Sequence, residues 1–328
     1  MAVAGVPSRL VHDPGLTEEA AAAASSALHT VTLSKRYGDV QALSDLSMTV
    51  PRGEVFGFLG PNGAGKTTSV KLLLGLARPT SGHAWVLGAP LGDQSTRRHI
   101  GYLPELFRYQ GWLQAGEVLK LHCELARLPR SIWPSEIDEA LTTVGLADRA
   151  GDRVANFSKG MQQRLGLGVA LLGSPHMVFL DEPTSALDPV GRRDVREIIR
   201  KLKAGGTTVF LNSHLLTEVE AVCDRVAIVD HGRVIATGTL DDLLAGKVGV
   251  RLRVTGLDPE ATRALQRFGA VSESDGWLSI DGAGPDVVPD VVAEVVRVGG
   301  RVYAVKPQHE SLEDRFMELL GGEPREST

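Results

Sequence analysis

Cysteine is almost absent from this 328-residue sequence: only Cys123 and Cys223 occur, a hundred residues apart. They supply neither a dense disulfide framework nor a metal-ligand spacing, and they fit a reducing compartment. The nine histidines are scattered. An excess of basic residues is missing too. Thirty-five Lys and Arg stand against forty Asp and Glu, a formal charge of −5, so no nucleic-acid partner is expected. No apolar run is long enough to cross a bilayer. The longest candidate, Leu165–Leu180, is interrupted by Pro175 and His176 and falls short of the roughly 20 residues a spanning helix needs. The alanine run Ala20–Ala24 follows Glu18 and Glu19 rather than a basic segment, so no signal peptide is expected. Any membrane role would come through a partner.

What is present is a glycine loop. Residues 60–68 read GPNGAGKTT, which fits G-x-x-x-x-G-K-[ST] with Gly60, Gly65, Lys66 and Thr67 in place. The apolar run Val55–Leu59 leads in and the helix-compatible run Thr68–Leu76 leads out. Strand, loop and helix start in that order turn backbone amides toward a phosphate, with the positive end of the helix dipole behind them. Gly60, Pro61, Asn62, Gly63, Ala64, Gly65 and Thr68 are the expected cradle. Lys66 is expected at the β- and γ-phosphates, and the Thr67 hydroxyl in a Mg2+ shell. The implied ligands are ATP and Mg2+.

A second signal is MVFLDE at 177–182. A buried strand delivers two carboxylates to its carboxyl end, where α/β sheets bind ligands. Asp181 suits the metal, directly or through water. Glu182 suits a base or an orienting group for attacking water.

Around these motifs, strands alternate with helices: Ile100–Leu103, Lys159–Leu172, Val178–Leu180, Val190–Leu202, Val209–Leu211, Leu215–Val222 and Arg225–Val229. This rhythm predicts an α/β fold with a mostly parallel sheet under helical cover. Residues about 105–150 break it with two helical stretches, Ala115–Leu128 and Ser135–Val144, separated by Pro129 and Trp133-Pro134. They read as a helical insertion. A mobile tail is expected over 1–29. The rhythm after Leu244 changes to β-α-β-β-α-β, which predicts a small C-terminal α/β domain over 246–328, closed by an amphipathic helix at Ser311–Leu320.

The order of these motifs resembles the nucleotide-binding subunit of an ATP-binding cassette (ABC) transporter, of the multidrug and daunorubicin exporter type. The likeness runs over about 29–240 and makes 30–245 the cassette domain. Phe157-Ser158-Lys159-Gly160-Met161 stands where the family has Leu-Ser-Gly-Gly-Gln, with Lys159 and Met161 as departures. The resemblance implies that Ser158, Lys159 and Gly160 face the γ-phosphate bound by another copy. It implies that Tyr37 stacks on adenine and that Ser185–Asp188, with Asp188, crosses the dimer interface. It also implies that His214 is a switch histidine at the γ-phosphate and water. Glu105 takes the place of a family glutamine that links Mg2+ and water to the membrane partner; a carboxylate accepts from metal-bound water but lacks the amide donors.

The implied protein is an ATP hydrolase at the cytoplasmic face of a membrane, acting as a homodimer on a separate transmembrane permease. Two other classes remain open in the residues: a soluble ABC ATPase of translation or repair, and an ATP-dependent binding regulator. One phosphate loop and no sustained heptads count against the first, Glu182 and His214 against the second.

Overall fold

The structure, a computed structural model, describes residues 14–185, 187–244, 249–308 and 311–321. The chain divides into two compact units between Gly238 and Thr239. The strands of the first are β1 (Ser26–Tyr37), β2 (Val40–Pro51), β3 (Val55–Leu59), β4 (Ser81–Val86), β5 (Ala89–Pro90), β6 (Ile100–Leu103), β7 (Met177–Asp181), β8 (Thr208–Asn212), β9 (Arg225–Asp230) and β10 (Arg233–Thr239).

β3, β7 and β8 read VFGFL, MVFLD and TVFLN and are buried at every position. Such unbroken apolar runs belong in the middle of a parallel sheet covered on both faces. They sit there, in the order β10-β9-β3-β8-β7-β6, with the pairings from β9 to β6 parallel. β2 alternates instead, burying Leu43, Leu46, Met48 and Val50, as a strand with one packed face does. It lies at the end of an antiparallel sheet ordered β2-β1-β4-β5. The faces of the two sheets share one core, in which Leu28, Leu46 and Val50 meet Phe56, Phe58 and Phe210. The Phe210 ring lies 5.9, 5.3 and 5.2 Å from those of Phe56, Phe58 and Phe179.

Helices Lys66–Leu73, Pro189–Ala204 and Leu216–Val222 alternate with the parallel strands. Between β6 and β7 lie two further helices, Ala115–Leu125 and Trp133–Thr143. Trp133 and Pro134, read as a break, open the second helix, because a proline in the first turn forfeits no intrahelical donor.

Residues 1–13 lie outside the described residues. Residues 14–29, expected within a mobile tail, form a helix over Pro14–Ser25 and the start of β1, with Ala23, Ala27 and Leu28 buried. Burial of these small and apolar side chains ties down a segment that its composition alone reads as loose.

The second unit holds β11 (Gly249–Thr255), β12 (Ala270–Ser274), β13 (Trp277–Asp281) and β14 (Arg301–Gln308), with helices Pro259–Leu265 and Val288–Arg297 between them. Its sheet runs β12-β13-β11-β14, antiparallel throughout. Leu252, Leu265, Ile280, Val291 and Val295 fill its core. Helix Leu240–Leu244 packs against helix Leu312–Leu319, which places the division ahead of the expected 245/246.

Replacing Phe210 with alanine empties the meeting point of three aromatic rings. Phe210→Ala should lower the stability of the first unit by about 3–5 kcal/mol, read as a shift of its urea unfolding transition.

Candidate nucleotide site

The parallel register brings the polar residues of four separate segments to the carboxyl ends of the strands, at one end of the sheet. Asn212 at the end of β8 lies opposite Phe58 of β3 and Asp181 of β7, and Leu103 of β6 lies opposite Leu180. Residues just past these strand ends therefore converge. They line a cleft of about 230 Å³: Asn62, Lys66 and Thr67 from the glycine loop, Glu105 after β6, Asp181 and Glu182 at β7, Asn212 and His214 at β8.

The loop keeps its shape through close contacts that exclude side chains. Gly65 has φ 98°, and a Cβ there would stand 2.4 Å from the Ala42 carbonyl oxygen. A Cβ on Gly60 would stand 2.3 Å from the Val229 carbonyl oxygen. Lys66 is buried and donates from Nζ to the carbonyls of Gly60 (2.8 Å) and Pro61 (3.2 Å). Burial pushes its ammonium below the usual lysine range, and the carboxylates of Glu182, Asp181 and Glu105 work against that shift.

Asp181 is pushed the other way. Burial raises its carboxyl, the neighbouring Glu105 and Glu182 add to the rise, and the Asn212 amide and Lys66 oppose it. Asn212 Nδ2 donates to Asp181 Oδ1, and the Asn212 carbonyl accepts from the Glu182 N–H at 2.8 Å. Glu182 holds φ 51°, a left-handed conformation that costs a non-glycine residue about 1–3 kcal/mol. His214 Nδ1 comes within 2.8 Å of Glu182 Oε2, but the contact is not aligned as a hydrogen bond, and that buried oxygen has no hydrogen-bond donor among the described residues. The buried Asn212 Oδ1 likewise lacks one.

Other expected site residues stand outside this cleft. Tyr37 is 48% exposed near the end of β1, with the Lys35 ammonium 4.7 Å from its ring centre. Ser158 caps helix Lys159–Leu171, accepting from the Met161 N–H at 3.2 Å, and Asp188 caps helix Pro189–Ala204, accepting from the Gly191 N–H at 2.8 Å. Lys159 is exposed. A Cβ on Gly160 would meet the Leu187 side chain at 3.9 Å, so the two capped segments are neighbours. Ala186, within the expected interface loop, lies outside the described residues. Asn212 went unread in the sequence; its signal is a polar residue closing the buried run Val209–Leu211, the logic that exposed Asp181.

No three His, Cys, Asp or Glu side chains among the described residues form a metal-binding group. Mg2+ seldom uses such a cage; one or two protein oxygens plus phosphate oxygens and water complete its shell. The Thr67 hydroxyl and Asp181 carboxylate on one cleft, beside a buried ammonium, fit that arrangement.

The chain matches the ABC transporter family over residues 43–185. An uncharacterized ABC transporter ATP-binding protein of Nostoc sp. is 43% identical over 289 residues, 86% of this chain and 84% of that protein. The daunorubicin resistance ATP-binding protein DrrA3 of Streptomyces coeruleorubidus is 36% identical over 89% of this chain and 95% of its own length. Among solved structures, cbiO1 of Clostridium perfringens, part of the ABC transporter complex cbiONQ, superposes with a TM-score of 0.62 at 26% identity, over 68% of this chain and 92% of that one.

Asn212→Ala removes the hydrogen bond that holds the Asp181 carboxyl down, so its proton is retained to higher pH. A protonated carboxyl cannot take Mg2+. The Mg2+ concentration for half-maximal ATP turnover should therefore rise more at pH 6 than at pH 8; an equal rise at both would separate Asn212 from the protonation of Asp181.

Proposed function

The chain belongs to the ABC transporter family as an ATP-binding protein, and we propose that it binds and hydrolyses ATP to power a separate membrane permease that exports a drug, lipid or other small molecule. The observation behind this reading is the single cleft shared by Lys66, Thr67, Asp181, Glu182 and His214. A phosphate loop alone binds nucleotide; an acid and an imidazole beside it can direct a water.

The residues divide the work. Loop amides and the Lys66 ammonium hold the β- and γ-phosphates, and Thr67 and Asp181 hold Mg2+, which when bound neutralises charge on the transferring phosphoryl group. Glu182 accepts the proton of the attacking water. Its left-handed backbone, and the hydrogen bond its N–H donates to the Asn212 main-chain carbonyl, aim the carboxylate into the cleft. His214, beside Glu182, orients the water and the γ-phosphate. Glu105, exposed at the cleft wall and followed by the helical insertion, suits a contact between Mg2+-bound water and the permease.

The exposed Tyr37 ring is the face for adenine. Ser158, Lys159, Gly160 and Asp188 lie together outside the cleft, which suits residues that complete the site of a second copy. ATP between two copies then closes the dimer, and hydrolysis releases it. No helix among the described residues is long and apolar enough to cross a membrane. A separate permease at the cytoplasmic face is the corresponding arrangement, and the part that cbiO1 plays in a larger complex supports it. Likeness to a daunorubicin resistance protein supports export.

Lys66→Ala should abolish tight ATP binding in folded protein, because the cation at the β- and γ-phosphates is lost; wild-type affinity by calorimetry would remove Lys66 from the site. Glu182→Gln keeps the shape and loses the base. It should bind ATP, slow hydrolysis by roughly 10²-fold or more, and accumulate an ATP-bound dimer in sedimentation with Mg-ATP. Full activity in that variant would sink the assignment of the base.

A further inference from the structure

Helix Pro189–Ala204 sends three basic side chains toward the segment that follows His214. Arg196, Arg200 and Lys203 share one side at spacings of four and three. Arg200 Nη2 donates to the Ala221 carbonyl at 3.2 Å, and Lys203 Nζ to Asp224 Oδ1 at 2.5 Å. Asp224 Oδ2 accepts in turn from the Val55 N–H of β3 at 2.9 Å. The same segment is pressed onto β3 from above: a Cβ on Gly57 would stand 2.8 Å from Val219 Cγ1 and 3.1 Å from Cys223 Sγ. Toward its C-terminal end, then, the segment is held by hydrogen bonds and by close packing.

The remaining tie is different. Arg196 Nε and Glu218 Oε2 lie 3.7 Å apart. Both atoms are buried, and neither has a hydrogen-bond partner among the described residues. The Glu218 side chain is buried and that of Arg196 partly exposed, and without a hydrogen bond between them the desolvation of the carboxylate offsets much of their attraction. A pair of this kind adds little net stability, so what it contributes is where its two partners stand rather than how tightly the chain folds. Its place is informative: Glu218 follows His214 by four residues, in the first turn of helix Leu216–Val222, and Arg196 stands on the helix that Asp188 caps. Asp194 of that helix also faces Arg164 of the Ser158-capped helix, at 4.0 Å.

We propose that Arg196 and Glu218 are positioning residues for ATP hydrolysis, holding the His214 segment so that the imidazole stays against Glu182. The assignment rests on the ATPase reading above. It predicts a division between stability and turnover. Arg196→Met leaves the buried Glu218 carboxylate without its counterpart and should lower both the melting temperature and the rate, whereas Glu218→Gln leaves a partly exposed guanidinium and should lower the rate with a smaller thermal shift. The double variant removes both charges and keeps the aliphatic bulk. It should regain wild-type stability while kcat stays down by about tenfold and KM for ATP is unchanged.

The test uses the full chain: thermal unfolding and ATP turnover for the three variants, with the 15N signals of the His214 imidazole assigned by their loss in His214→Ala. The proposal expects those signals to shift in the double variant. Unmoved His214 signals, or wild-type turnover in the double variant, overturns it and leaves the ATPase reading standing. A wild-type chain inert toward Mg-ATP overturns both.

Discussion

The parallel pairing of β3, β8 and β7 is the constraint on which the cleft depends. Asn212 sits opposite Phe58 on one side and Asp181 on the other. A slip of one residue in either pairing would turn the strand's side chains to opposite faces. It would carry Phe210 out of its aromatic cluster and separate Asp181 from the amide that contacts it. Core and chemistry are set by the same alignment, because the apolar residues that enforce it end where the polar ones begin.

The site is also where local preferences are overridden. Glu182 occupies a left-handed backbone region that most residues avoid, and its buried Oε2 has no aligned donor. Three carboxylates face one lysine ammonium that burial disfavours. None of these arrangements adds stability alone. They are sustained by strands whose every residue is buried, and they leave acceptor oxygens and a cation oriented toward the same volume. Such a field suits a ligand that brings both phosphate and a divalent cation, since each neutralises part of what the other finds unfavourable.

Much of this was legible in the sequence because the relevant signals are local. The glycine loop is flanked by its own strand and helix, and Asp181-Glu182 follow an apolar run long enough to be a buried strand. The β-α-β-β-α-β order of the second unit could be read from alternation and turn residues, since its hairpin closes through Asp275-Gly276. What could not be read depends on contacts distant along the chain. Asn212 belongs to no motif, and only its register with β7 shows its bond to Asp181. The N-terminal segment is held by burial of Ala23, Ala27 and Leu28 against elements that come later. Helix Leu240–Leu244 follows the first unit in sequence yet packs against Leu312–Leu319. Pro134 looked like a break because composition does not reveal whether a proline falls in the first turn or beyond it.

Both thiols in the chain are buried, and burial raises each above the usual cysteine range. Cys223 packs against Gly57, and burial disfavours its thiolate. At neutral pH both thiols are therefore poor targets for thiol-directed dyes and spin labels. A single cysteine introduced at an exposed position such as Lys159 would stand as an exposed thiol beside two buried ones. The scarcity of cysteine thus makes the unmodified chain a ready background for measuring distances within an assembly.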